Sequence, residues 1–281
     1  MAEDYRDYIG REERRRDVIT AGPLEGVAAL LDATWAEVSP RGVLPPLWHW
    51  FFFLHWVRRS EIGPDGHPRR GRFLPPVALP RRMFAGGRLT FHGALRVGDP
   101  VERVSTIQSV QEKTGASGPL VFVTVRHELS GPGGLAVVEE QDLVYRGPDT
   151  GAARQAAEPP PEPLPAGAWR REVNPDPVTL FRFSALTANG HRIHYDRQYA
   201  TGVEGYPGLV VHGPLQAILL LDLLRRERPD REVRAFEFRA RRPLFDGSPF
   251  WCVGYDEAGR VELSTRDAQG RACMTARATP A

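Results

Sequence analysis

The chain reads as an α+β protein built on antiparallel sheet. Helical segments lead and consecutive strands follow in each of two halves, an order that favours layered α+β packing. A Pro-rich passage separates the halves. The segment 214–228 is apolar on nearly every side, which suits a helix gripped by a curved sheet.

In the first half a helix is expected near residues 23–31, followed by an aromatic run at 47–58. After a Pro/Gly-rich passage come strand patterns at 88–95, 102–111, 120–129 and 136–145. GPGG at 131–134 is a suitable hairpin connection for the last two. In the second half Asp176 can cap a helix with Pro177 at its first position, running to about Thr187. The apolar helix follows, with Gln216 and Asp222 as its polar exceptions and Arg225, Arg226 and Arg228 suited to its C-terminal dipole. Strand patterns then recur at 233–239, 249–256, 261–267 and 272–278. The domain division is 1–146, a linker at 147–168, and 169–281. The linker has few large apolar residues and a Pro run at 159–161, so it reads as a semi-extended spacer.

Composition narrows the function. The 281 residues are 41% hydrophobic and 26% charged, ordinary for a soluble globular chain. The formal net charge is only +2, and arginines are mixed with acids along the chain, so a nucleic-acid stripe is not indicated. Lys113 is the only lysine. Cys252 and Cys273 fall in strand patterns and read as reduced core thiols. The N-terminus is charged throughout and no apolar run is long enough to span a bilayer, so a cytoplasmic, membrane-free protein is expected.

Chemistry concentrates in FSALTANGHRIHYDRQYA (183–200) and GYPGLVVHGPL (205–215). Three of the eight histidines, His191, His194 and His212, fall here with Asn189 and the start of the apolar helix. Asp196 is placed to cap a short helix running to about Ala200, and Tyr199 to pack in the core. The spacing of His191, His194, Asp196 and His212 is not a strong zinc signature and no cysteine pair accompanies it, so no metal is expected. No G-x-S-x-G nucleophile elbow occurs.

The first of these segments resembles the hydratase motif of MaoC-like enoyl-CoA hydratases, and LVVHGPL resembles the segment that opens their central helix. The two-domain branch, containing mesaconyl-C4-CoA hydratase, itaconyl-CoA hydratase and the hydroxyacyl-thioester dehydratases, is the best match. PLWHWFFFL (46–54) and LPRRMFAGGRLTFHGALRVGD (79–99) also resemble that branch. The resemblance implies a double hot-dog fold, two antiparallel sheets each wrapped around a central helix. The first half would then be a degenerate repeat completing the acyl-CoA pocket. It further implies reversible hydration of an α,β-unsaturated acyl-CoA, with coenzyme A entering only as part of the substrate and no other cofactor. In the wider family an aspartate pairs with a histidine five positions later; here those positions hold Asn189 and His194.

Hydration of an enoyl thioester needs a base for water, a proton for the α-carbon and donors for the thioester oxygen. His194 is the expected acid/base. Asn189 cannot take a proton but can hold water through its amide. The Gly213 backbone amide at the helix start is the expected oxyanion donor, and a glycine there lets the thioester approach closely. His212 is a second donor or an ordering group, and His191 supports the loop. Arg239, Arg241 and Arg242 are candidates for coenzyme A phosphates, and Arg192 for a free carboxylate on the acyl group. A hot-dog thioesterase and a non-catalytic acyl-CoA-binding subunit are the alternatives. Self-association stays open, since two fused hot-dog units already form the usual dimer-like pair.

Overall fold

A computed structural model describes residues 4–115, 118–147, 160, 161 and 163–281. Most of the expected linker, at 148–159 and 162, lies outside the described residues. In chain order the elements are β1 (Glu12–Val18), α1 (Ala21–Leu30), α2 (Trp35–Val38), β2 (Arg81–Phe91), β3 (Pro100–Gly115), β4 (Gly118–Gly131) and β5 (Gly134–Arg146). Then follow β6 (Trp169–Val173), α3 (Pro177–Leu186), α4 (Arg197–Gly202), α5 (Gly213–Glu227), β7 (Val233–Ala240), β8 (Phe250–Glu257), β9 (Arg260–Arg266) and β10 (Ala272–Pro280).

Among the described residues, ten strands form one antiparallel sheet in the order β1-β3-β4-β5-β2-β7-β10-β9-β8-β6. The two expected sheets are thus continuous, joined where β2 pairs with β7. Gly86 and Gly87 make that seam possible: a Cβ on Gly86 would lie 2.4 Å from the Phe238 carbonyl oxygen of β7. Strand glycines here mark close backbone approach. They also explain why β2 begins at Arg81, seven residues before the strand pattern expected from the sequence.

Both edge strands, β1 (EERRRDV) and β6 (WRREV), carry no such pattern. Each is short and charged, a common way to blunt a sheet edge. Their pairing is supplied by the neighbouring strand, as in Arg16 Nε to Glu102 at 2.8 Å between β1 and β3.

The apolar segment forms α5, packed on β8, β9 and β10, with every residue from Leu215 to Leu224 buried. Its two polar exceptions are satisfied: Thr265 Oγ1 donates to Gln216 Oε1 at 2.7 Å, and Asp222 is held by Arg171, Arg225 and Arg226. The first half differs from expectation, since among the described residues it has no comparable central helix. Its helix α1 packs against α3 instead. The aromatic run forms only a 3-10 turn, Trp48–Phe51, entered through Leu47 at φ 72° after two prolines. Bulky rings at consecutive positions pack better on a sheet than along a helix. Trp48, Phe51, Phe52 and Phe53 duly join the core shared with α5. A second cluster, centred on Ile107, Val123 and Tyr145, packs within the first half. Both cysteines are buried free thiols, pushed by burial up to about 12.

Candidate active site

The catalytic loop is launched by a defined helix ending. Asp176 caps α3, accepting from Val178 N at 2.8 Å and Thr179 N at 3.0 Å. At the other end Ala188 takes φ 50°, its N–H reaching Ala185 O and the Asn189 N–H reaching Ser184 O at 2.8 Å. These are the two hydrogen bonds of a Schellman ending. Asn189 Oδ1 then accepts the His191 N–H at 3.0 Å, an Asx turn that fixes the next stretch. Asn189 therefore shapes the loop with its carbonyl and keeps its amide NH2 for another partner. The left-handed residue is its neighbour Ala188, not Asn189 itself.

A 3-10 turn, Arg192–His194, carries His194 inward to 7% exposure. His194 Nδ1 lies 2.7 Å from Val210 O. A carbonyl only accepts, so Nδ1 bears the proton and the neutral ring presents Nε2 as a lone pair. Burial lowers the His194 pKa to about 4, keeping that lone pair available at neutral pH. His212 stacks on His194 with ring centroids 3.6 Å apart and 18° between planes. Its Nε2 is 2.8 Å from Ser184 Oγ and its Nδ1 has no partner. His212 does not cap α5 with its side chain; it orders His194 from below. Gly213 follows His212 directly, so α5 begins one residue after the ring that stacks on His194. A Cβ at Gly213 would meet Phe84 at 3.5 Å and Met274 at 3.9 Å, ordinary contacts. The protein alone therefore does not demand glycine there.

The first half contributes a loop that the sequence pattern gave only as a Pro/Gly-rich passage. Gly66 crosses Gly190 so closely that a Cβ on Gly66 would sit 1.8 Å from Gly190 O. The Arg192 N–H donates to Asp65 O at 2.9 Å. His67 packs on His191 at 4.1 Å, and His191 stands edge-on to His194 at 5.6 Å. His67 Nδ1 is 3.1 Å from Asp65 Oδ2. Burial tends to raise the Asp65 carboxyl, yet the His67 hydrogen bond carries it well below the usual carboxylate range. Burial, then the neighbouring imidazoles His67 and His194, lowers His191 to about 2. The D-G turn at 65–66 was the only local signal, and a contact across about 125 residues leaves no periodic trace.

Arg192 is committed within the protein. It pairs with Asp196 at 2.7 Å, donates to Pro64 O at 3.0 Å and lies 4.3 Å over the Tyr199 ring. These partners hold the guanidinium that was expected to meet a substrate carboxylate. Asp196 also caps α4, accepting from Tyr199 N at 3.0 Å, and Tyr199 is buried, both as expected. Arg239 and Arg241 are exposed and Arg242 half-buried, on β7 and the turn after it. The Arg241 and Arg242 N–H groups both donate to Cys273 O, next to Met274.

Of the residues weighed and set aside as zinc ligands, Asp196 caps a helix, while His194 Nδ1 is held by Val210 O and His212 Nε2 by Ser184 Oγ. Among the described residues, Asp65, His67 and His191 bring ligand atoms within 4.8 Å of one another. Two of those atoms already hydrogen-bond each other. A cavity of about 960 Å³ lies toward the other end of α5, lined by Ile218, Leu221 and Leu224 with Trp48, His49 and Phe91. It is separate from His194. No helix among the described residues is long and apolar enough to cross a membrane.

The sequence profile of hydroxyacyl-thioester dehydratase type 2 matches residues 47–246. Mesaconyl-C(4)-CoA hydratase of Chloroflexus aurantiacus is 46% identical over 97% of this chain and 96% of its own length. Among solved structures, a MaoC-like dehydratase superposes with a TM-score of 0.74 at 13% identity, covering 98% of both chains. A Mycobacterium tuberculosis protein described as a double hotdog fold gives 0.56 at 12% identity, covering 99% of this chain and 98% of its own. The fold is therefore the α+β double hot-dog, and the chain belongs to the hydroxyacyl-thioester dehydratase type 2 family.

Proposed function

We propose that this protein is a hydro-lyase that reversibly adds water across the α,β double bond of an acyl-CoA, with His194 as the proton-transfer group. The observation that carries the reading is the Val210 carbonyl on His194 Nδ1, which leaves Nε2 as the unprotonated nitrogen of the ring. In the forward direction the water proton passes to Nε2 as oxygen bonds to the β-carbon. The resulting imidazolium returns a proton to the α-carbon, so one H and one OH are added in total. The Gly213 N–H and the positive end of α5 face the thioester oxygen where negative charge develops. The Asn189 NH2 donates to the water oxygen. His212 stacks under the base and holds its plane.

A carboxylated acyl group, mesaconyl-C4-CoA or an itaconyl thioester, is the proposed substrate class. Support comes from the name of the Chloroflexus relative at 46% identity. Coenzyme A phosphates are assigned to Arg239, Arg241 and Arg242, and the acyl pocket to the seam between the halves (residues 1–146 and 169–281), with no metal or other cofactor and a cytoplasmic setting. The test is a turnover screen with carboxylated and simple enoyl-CoA esters, following loss of enoyl absorbance beside free thiol release. Hydration without thiol release is expected. Thiol release in step with substrate loss would make it a thioesterase instead, and tight binding without turnover would make it an acyl-CoA-binding subunit.

A further inference from the structure

The catalytic cluster is flanked by a cation that the fold does not neutralise. Arg82 lies on β2, half-buried, two residues before Phe84 on the same face. Phe84 is the side chain that meets the Gly213 position, so this face of β2 looks toward the start of α5. Neighbouring arginines are occupied. Arg81 pairs with Glu204 at 3.1 Å, Arg192 with Asp196, and Arg70 donates to the carbonyls of Val77, Leu79 and Pro80. Among the described residues no carboxylate pairs with Arg82.

Its cross-strand neighbour on β5 is Tyr145. Tyr145 has 0% exposure; burial pushes its hydroxyl pKa up, the Arg82 guanidinium beside it acts in the opposite direction, and no group reaches its phenolic oxygen at full hydrogen-bond geometry. Arg70 lies 5.3 Å over the Tyr145 ring. The Arg82 charge reaches His67 and His191, where it opposes protonation after burial has done so. That places the cation beside the imidazoles that lead to His194. The carboxylate beside those imidazoles, Asp65, is engaged by His67, and Glu204 by Arg81. A guanidinium with no carboxylate, set against a buried hydroxyl that no group reaches at full hydrogen-bond geometry, is costly for a fold to keep. A ligand carboxylate would satisfy both, taking two charge-assisted hydrogen bonds from the guanidinium and one from the phenol.

We infer that Arg82 and Tyr145 form an anion subsite that receives the free carboxylate of a dicarboxylic acyl thioester. The subsite rests on the carboxylated-substrate reading above and assigns the residues that enforce it. It lies in the first half, so the half without the histidine motif selects the substrate while the second half reacts it.

The test compares mesaconyl-C4-CoA with crotonyl-CoA in the full chain. Arg82→Met lowers kcat/KM for mesaconyl-C4-CoA by about 100-fold and leaves crotonyl-CoA within about threefold. Arg82→Lys restores part of the loss, since it keeps the charge without the fork. Tyr145→Phe, a variant that keeps the packing, costs about tenfold on the carboxylated thioester only. Parallel losses on both substrates, or no loss with Arg82→Met, overturn the subsite. Wild-type protein that hydrates crotonyl-CoA but ignores mesaconyl-C4-CoA overturns the carboxylated-substrate reading instead.

Discussion

The two halves bury the same kind of side chain to opposite ends. In the first half His49 Nε2 lies 2.8 Å from Glu139 Oε2, and Trp50 Nε1 donates to the same carboxylate at 3.0 Å. His127, beside Glu139 on the neighbouring strand, reaches Ser105 Oγ at 2.7 Å. That network is closed around a carboxylate and fastens the aromatic turn to β5. In the second half His194 and His212 are equally buried but bonded to neutral oxygens, Val210 O and Ser184 Oγ. The partner and the edge it takes decide the use here: the network closed on Glu139 makes His49 a clamp, whereas the carbonyl on His194 Nδ1 leaves Nε2 for chemistry.

Alanine scanning of that pair gives the largest contrast. His194→Ala lowers kcat by about 10³-fold with a modest change in melting temperature, because general acid–base catalysis commonly contributes about 10²–10⁴-fold. Asn189→Ala costs less, about tenfold, since it positions water and the loop without moving a proton. His49→Ala does the reverse: it leaves Glu139 buried without its imidazole and destabilises by about 3 kcal/mol, while kcat per folded molecule holds. Steady-state kinetics and chemical denaturation on the three variants check this. Equal kinetic losses at His194 and His49 would erase the distinction between the halves.

A second prediction attacks their crossing point. Gly66 has φ +90° and no room for a Cβ against Gly190. Gly66→Ala displaces the loop bearing Asp65 and His67 from the catalytic loop. The strained φ alone costs about 1–2 kcal/mol, and a shift near 1 Å at the site lowers kcat by about 10²-fold. Gly133→Ala, in the turn between β4 and β5, is the control, since a Cβ there meets nothing within 4 Å. Wild-type kinetics in Gly66→Ala would show that the first-half loop is a spectator.

Much of this arrangement was legible in the sequence. The second-half helices and most strands announce themselves because burial imposes a period along each segment, as in the wholly apolar α5. Asp176 and Asp196 were readable as caps because capping is local. What could not be read rests on distant partners. Strands β1 and β6 have charged sequences and exist because β3 and β8 pair with them. The glycines of β2 look like a turn until β7 lies against them. His191 and His194 were visible as a motif, yet Asp65 and His67 join them from the other half. Arg192 was a plausible free cation until Asp196 and Pro64 O occupied it.

The pH response separates the halves less sharply, since both contain depressed imidazoles. Burial takes His194 and His127 each to about 4. Between the unfolded value near 6.5 and the folded value, the unfolded chain binds more protons, so stability falls as pH drops below about 6.5. Each such imidazole contributes about 1.4 kcal/mol per pH unit in that window. Catalysis behaves differently, because a base titrating near 4 is still neutral at pH 5. With folded protein, kcat/KM is expected to stay nearly flat from pH 7 to 5, where an unperturbed imidazole would lose about 30-fold. An acid limb centred near 6.5 would show that His194 is not the base.

The smallest structural change asks whether the start of α5 serves the fold or the substrate. The space at Gly213 accepts a methyl group against Phe84 and Met274 at ordinary contact distances, and no left-handed φ is recorded there. Gly213→Ala therefore keeps the melting temperature within about 1 °C, corresponding to about 0.6 kcal/mol in a chain this size. A thioester drawn against the Gly213 N–H does meet the new methyl, so kcat/KM falls about tenfold, an effect on the substrate side of the contact. The melting curve and the rate must be read on the same preparation. Loss of both together would assign the glycine to packing, and loss of neither would move the oxyanion donor away from the start of α5.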